Sequence, residues 1–226
     1  MPRLPQVPRS ETDHPLVHAM YDLIFGKGVD PLADPDHPVI TSTGSNGSWW
    51  TVFANCPPAL EHAVGGFAFY RSPERELDSL LREIAQARVG WAKGSSFVYS
   101  QHCKSLRALG VPDEKIAAIP GWAVSPHFDD LERAVLAYTD AIALDGGRVD
   151  DAVFERLQAD LSTVAILELT YITALYEMHA TMSRALRTEF DDRPDPVVEV
   201  AAPADFDLDE WRSLGAAEAE RAKRRS

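Results

Sequence analysis

Apolar side chains recur along most of the chain at steps of three and four residues, and no segment sustains an alternation of period two. Leu16, Met20, Leu23 and Ile24 give the first helical spacing. "KGVDPLADPDHPVITSTGSNGS" breaks it with Pro, Gly, Asp and Ser, which predicts a long loop. "WWTVFANCPPALEHAVGGFAFYR" predicts a short helix, a break at Pro57-Pro58 and a second helix to about Tyr70. The next segment reads as a helix opened by Ser72 as N-cap and Pro73 at the first position, with Glu74 and Glu76 in its first turn. Its stripe is Leu77, Leu80, Leu81, Ile84 and Arg88, and it closes near Gly90. A further helix is expected from about Ser96 to Leu109, stopped by Gly110. Then follow a short helix in "VPDEKIAAI", one in "SPHFDDLERAVLAYTDAIALDGG" closed by Gly146-Gly147, and one in "DDAVFERLQADL". The longest starts near Ser162. The expected fold class is all-α, helices joined by short loops.

Three stretches differ in character. Residues 1–44 read as a Pro-rich arm and a helix, 45–190 as the helical body, and 191–226 as an acidic, Pro-containing tail extended over the body or a neighbouring subunit. The 226 residues carry a net charge of −13, which excludes the basic footprint of a nucleic-acid binder. No apolar run has the length of a membrane span or of a secretory signal. Two cysteines, Cys56 and Cys103, are no disulfide framework, so a cytoplasmic protein with reduced thiols is expected. No metal-ligand motif, phosphate loop or nucleophile elbow is present in the sequence.

Candidate chemistry centres on "SSFVYSQHCKSLRALG", residues 95–110. At about 100° per residue, Tyr99, His102, Cys103, Leu106 and Leu109 share one face. An inward histidine is either a core residue with one hydrogen-bond partner or an acid–base group. Glu83 lies at the flank of the preceding helix's apolar stripe, where it is either a solvated or ion-paired residue or the partner of His102. A Glu–His pair orients the imidazole for proton transfer. Spacing leaves both readings open.

"LLREIAQARVGWAKGSSFVYSQHCKSLRALGVPDEKIAAI", with "FDDLERAVLAYTDAIALDGGRVDDAVFERL" and "AILELTYITALYEMHATMSRAL", resembles the carboxymuconolactone decarboxylase and alkyl hydroperoxidase D family. The resemblance implies an alkyl hydroperoxidase D-like helical bundle. It places Arg82-Glu83 on the family's Arg-Glu pair and His102 on the motif histidine. The peroxidase branch carries Cys-x-x-Cys at the positions of Ser95 and Val98, so its dithiol chemistry is expected to be absent. What the resemblance implies is a cofactor-free, metal-free acid–base enzyme acting on a small organic acid or lactone. In it, His102 transfers the proton, Glu83 is its relay and Tyr99 a hydrogen-bond donor. Ser95, Val98, Cys103, Trp91 and Tyr176 are expected to line the site. The partners expected are a small molecule and further copies of the chain in a homo-oligomer. The alternatives are a non-catalytic binding or scaffolding oligomer and, behind it, a single-cysteine hydroperoxidase using Cys103.

Overall fold

A computed structural model of the chain describes residues 1–34, 39–193, 196–203 and 206. Among them the regular structure is helical: α1 (Pro15–Ile24), α2 (Ser48–Phe53), α3 (Pro57–Tyr70), α4 (Ser79–Ala92), α5 (Ser96–Ala108), α6 (Asp113–Ala118), α7 (Asp130–Asp145), α8 (Asp151–Asp160) and α9 (Thr163–Leu186). The fold is all-α, as the periodicity requires. No helix among the described residues is long and apolar enough to cross a membrane.

The chain divides into two compact units. One takes Met1–Pro73 and Ala185–Asp192, the other Glu74–Arg184 and Arg193–Ala201. In the first, Val17, Tyr21 and Ile24 are the buried face of α1. Trp49 stacks on Phe53 with ring centroids 3.8 Å apart. Glu189 closes the same unit from the far end of the sequence. Its carboxylate is buried and accepts three backbone N–H bonds, from Asn46 and Gly47 on Oε2 (2.9 and 3.1 Å) and from Trp49 on Oε1 (2.8 Å). Burial is the largest influence on this carboxyl and lifts it to about 7, while the three N–H bonds hold it down.

In the second unit α4 is the hub. Every residue from Glu83 to Gly90 is buried, because a different neighbour covers each flank. Ile84 and Ala87 pack with Tyr99, Cys103, Leu106, Ile116 and Leu136. Leu81 and Ala85 pack with Val135, Tyr138, Leu157 and Leu169. Val89 packs with Val98 and Ala180. Each Leu, Ile or Val among these contributes about 1.5–3 kcal/mol by leaving water. The α4–α5 contact is close because of Gly90: a Cβ there would stand 2.4 Å from the Tyr99 backbone nitrogen. The two helices run antiparallel, linked through residues 93–95.

Where α4 begins differs from the expectation at Ser72. Asp78 is the N-cap, accepting from the backbone N–H of Leu80 and Leu81 at 2.8 and 3.3 Å. Residues 72–78 are turn and bend, and the Leu77 N–H is taken by Glu168 Oε2 at 2.8 Å. A tertiary carboxylate thus occupies a donor that helix continuation would need. Leu109, expected inward, is 48% exposed at the α5 C-cap. α7 begins at a capping box of Asp129 and Glu132 and ends, as expected, at Gly146, which is in the left-handed region. The first part of the tail lies along α5. The Val198 and Val200 N–H groups donate to Ser96 and Ser100 Oγ at 3.3 and 2.7 Å, and Glu199 pairs with Arg107. Residues 207–226, read from the sequence as the end of the tail, lie outside the described residues.

Candidate functional site

α4 carries three polar side chains into its buried stretch, and each demands a partner. Arg88 meets its demand with a two-point ion pair to Asp140 (2.6 and 2.9 Å) and the Pro120 carbonyl (2.9 Å). Glu83, 1% exposed, is held from two sides. Arg82 donates Nε and Nη2 to Oε1 at 3.0 and 2.7 Å. His102 of α5 faces Oε2 through Nδ1 at 2.7 Å. An ionised carboxylate only accepts, so Nδ1 carries the proton and donates it. Nε2, on the far side of the ring, then holds the lone pair. Arg82 supplies Glu83 with counter-charge, and Glu83 sets the tautomer and plane of a ring that is only 3% exposed.

Gln86, the third, is 0% exposed, and neither its amide oxygen nor its nitrogen has a hydrogen-bond partner among the described residues. Thr173 on α9 is equally buried, and its hydroxyl also lacks one. An unpaired buried polar group costs about 1–3 kcal/mol.

Tyr176 of α9 sets its ring edge-on to His102, centroids 4.5 Å apart, and His179 lies beyond it at 6.0 Å. Tyr176, expected from the sequence to line the site, is thus a direct neighbour of the histidine ring. Tyr99 does not join this group. It packs in the cluster of Ile84, Ala87, Cys103 and Leu106. On α5 it stands about 60° from His102, enough to face a different neighbour. Burial raises both groups, the Tyr99 hydroxyl above its usual range and the Cys103 thiol to about 12. Trp91, expected to line the site, belongs to the Tyr99 cluster, with the Arg88 guanidinium 4.6 Å above its ring. Cys103 sits with them. Ser95 caps α5, accepting from the Val98 N–H at 3.1 Å, and Val98 packs with Val89, Ala180 and Tyr176. The two positions that would carry thiols in the peroxidase branch thus hold a helix cap and an apolar wall.

Arg82, Gln86 and Thr173 were not singled out by sequence reasoning as working residues. Arg82 stands beside Glu83 in the Arg-Glu pair, which was its signal. A neutral amide or hydroxyl inside a helical stripe gives none. Among the described residues no group of three or more His, Cys, Asp or Glu side chains is placed to hold a metal ion.

Residues 58–141 match the model of the carboxymuconolactone decarboxylase family. The uncharacterised protein YnjA of Escherichia coli is 28% identical over 143 residues, covering 61% of this chain and 74% of its own. Two solved structures share the fold at lower identity. An Agrobacterium tumefaciens protein of unknown function, whose name links it to the antioxidant defence protein AhpD, superposes with a TM-score of 0.56 at 22% identity over 65% of this chain and 96% of its own. The debrominase Bmp8 superposes with a TM-score of 0.61 at 18% identity over 91% of this chain and 95% of its own.

Proposed function

We propose, from the match of residues 58–141 to the carboxymuconolactone decarboxylase family model, that the chain is a cofactor-free acid–base enzyme acting on a small organic acid or lactone. The observation that carries this is the buried Arg82–Glu83–His102 relay, whose 2.7 Å Glu–His bond leaves Nε2 as the proton-transferring atom. In a decarboxylation the carbon–carboxylate bond breaks and its electron pair enters the conjugated carbonyl as a dienolate. CO₂ leaves, and Nε2, protonated beforehand from solvent, gives that proton to carbon and returns to its lone-pair form. In an isomerisation Nε2 takes a proton from the carbon beside the carbonyl and returns it further along the conjugated system. Glu83 stabilises the imidazolium in both. Such a group contributes about 10²–10⁴-fold.

Bmp8 has also been solved in complex with 2,3,4-tribromopyrrole. A ligand of that size, small and flat, suits the proposal. A single-cysteine peroxidase does not, because Cys103 is buried and its thiol is pushed up to about 12. Self-association belongs to the same reading. Val164, Leu167, Tyr171 and Met178 are exposed on one uncharged face of α9, at steps of three, four and seven that suit a second helix. Sedimentation of the wild type against Leu167→Glu tests it, and an unchanged species would remove that part.

The experiment for the enzyme reading is a screen of unsaturated lactones and β-keto acids with wild type, His102→Ala and Glu83→Gln. Turnover by wild type that both variants lose, with folding intact, is the expected result. If all three bind a screened compound and none turns it over, the chain is a binding module.

A further inference from the structure

Of the three polar side chains buried on α4, Arg88 and Glu83 are fully engaged and Gln86 is not. Its place in the helix is informative. Glu83, three residues before it, bonds His102. Val89, three residues after it, packs in the cluster that Tyr176 leans on. Residues three apart lie about 60° from each other on a helix surface, so Gln86 sits on the flank between these two. Across the same group, fully buried Thr173 precedes Tyr176 by three residues on α9. Two buried polar groups without a hydrogen-bond partner among the described residues thus sit one turn from the working residues on their own helices, Gln86 from Glu83 on α4 and Thr173 from Tyr176 on α9.

We propose that Gln86 is the group that holds the substrate's carbonyl: its Nε2–H donates to the carbonyl oxygen of a small carbonyl compound, with the Thr173 hydroxyl as a second contact, while His102 moves the proton. The assignment of the proton step rests on the function proposed above; the assignment of the carbonyl does not. A fold keeps an unpaired buried amide when something else repays it, and a ligand oxygen is the partner an amide N–H lacks. The choice of amide fits the relay next to it. A lysine or arginine at this position would compete for Glu83, whereas a neutral donor leaves the Glu83–His102 bond in place. When the carbonyl becomes an enolate its oxygen gains negative charge, and a fixed donor then binds it more strongly than in the ground state.

The test uses two probes that differ in the carbonyl alone, 2(5H)-furanone and 2,5-dihydrofuran, against wild type, Gln86→Met and His102→Ala. Methionine keeps the volume and removes the amide. Wild type is expected to bind furanone more tightly than dihydrofuran, and Gln86→Met to lose about 10-fold in furanone affinity while keeping its dihydrofuran affinity. Gln86→Met should also melt about 2–4 °C above wild type, because an unpaired buried amide is gone. His102→Ala should retain the preference for furanone. A Gln86 engaged in the core predicts the reverse: a lower melting temperature and an unchanged preference. Either of those results overturns the proposal, as does a wild type that does not prefer furanone. If His102→Ala keeps full turnover while Gln86→Met loses the preference, the acid–base reading fails and the carbonyl site stands.

Discussion

Glu83 at 1% exposure and Glu189 at 5% are both buried almost completely, and they solve the same electrostatic problem in opposite ways. Glu189 satisfies both oxygens with backbone N–H groups of residues 46–49. All three donors are fixed main chain, and its own φ of +52° holds it to them. The carboxylate pins the segment from 185 to 192 onto the loop before α2, and its chemistry ends there. Glu83 uses two side chains instead. One is a guanidinium that neutralises it. The other is an imidazole, which has a second nitrogen and can pass the interaction on. Burial alone therefore marks neither as functional. What separates them is whether a partner can itself react.

The comparison is broken most severely at His102. Replacing it with Ala should abolish turnover by about 10²–10⁴-fold, measured as kcat at saturating substrate with far-UV circular dichroism as the folding control. Glu83→Gln should come next, with kcat down by about 10²-fold. The amide has one acceptor oxygen for both Arg82 and His102, and its NH₂ favours the tautomer that puts the proton on Nε2. The pH profile of kcat should shift with it, which a merely structural role for Glu83 would not produce.

Glu189→Gln should act on stability alone. One of the two carboxylate oxygens becomes a donor facing backbone N–H groups, at a cost of about 1–3 kcal/mol in urea unfolding, with activity kept. The sign of its pH dependence follows from a folded value of about 7 against an ordinary 4.5. Between those pH values the native state holds a proton that the unfolded chain has released. Glu189 therefore contributes a loss of stability as pH rises from about 4.5 to about 7, and no further change above it. The unfolding free energy of wild type relative to Glu189→Gln should narrow over that window. A difference that widens with pH would contradict the assignment.

The smallest effect should come from the thiols. Ellman's reagent should titrate one cysteine in the native protein, exposed Cys56, and reach Cys103 only on unfolding. Cys103→Ala should leave turnover within about twofold.

Much of this was legible where the signal is local. The glycine stop of α7 and the break before α3 are short-range chemistry, and the structure keeps them. Helical phase left the Glu83–His102 contact as one of two open readings, and it was the family resemblance that favoured the pair found at 2.7 Å. What a helical phase does not give is the neighbour on each side. Tyr99 and His102 are about 60° apart on α5, and α4, α9 and the 3₁₀ turn Ile119–Val124 after α6 divide that arc between two clusters. The start of α4 was misplaced for a related reason. Ser72-Pro73 is a good capping sequence, but Glu168, 91 residues away, claims the Leu77 N–H. Glu189 and Gln86 were invisible because their meaning is purely tertiary: one has found three donors, the other has found none.

The acid–base claim is tested most directly by exchange of the α-hydrogens of α-angelica lactone in D₂O, followed by proton NMR with wild type and His102→Ala at equal concentration. If His102 moves protons to and from carbon, wild type accelerates the exchange and the variant returns it to the buffer rate, with its fold unchanged. Equal exchange rates with wild type, His102→Ala and buffer alone would contradict that assignment.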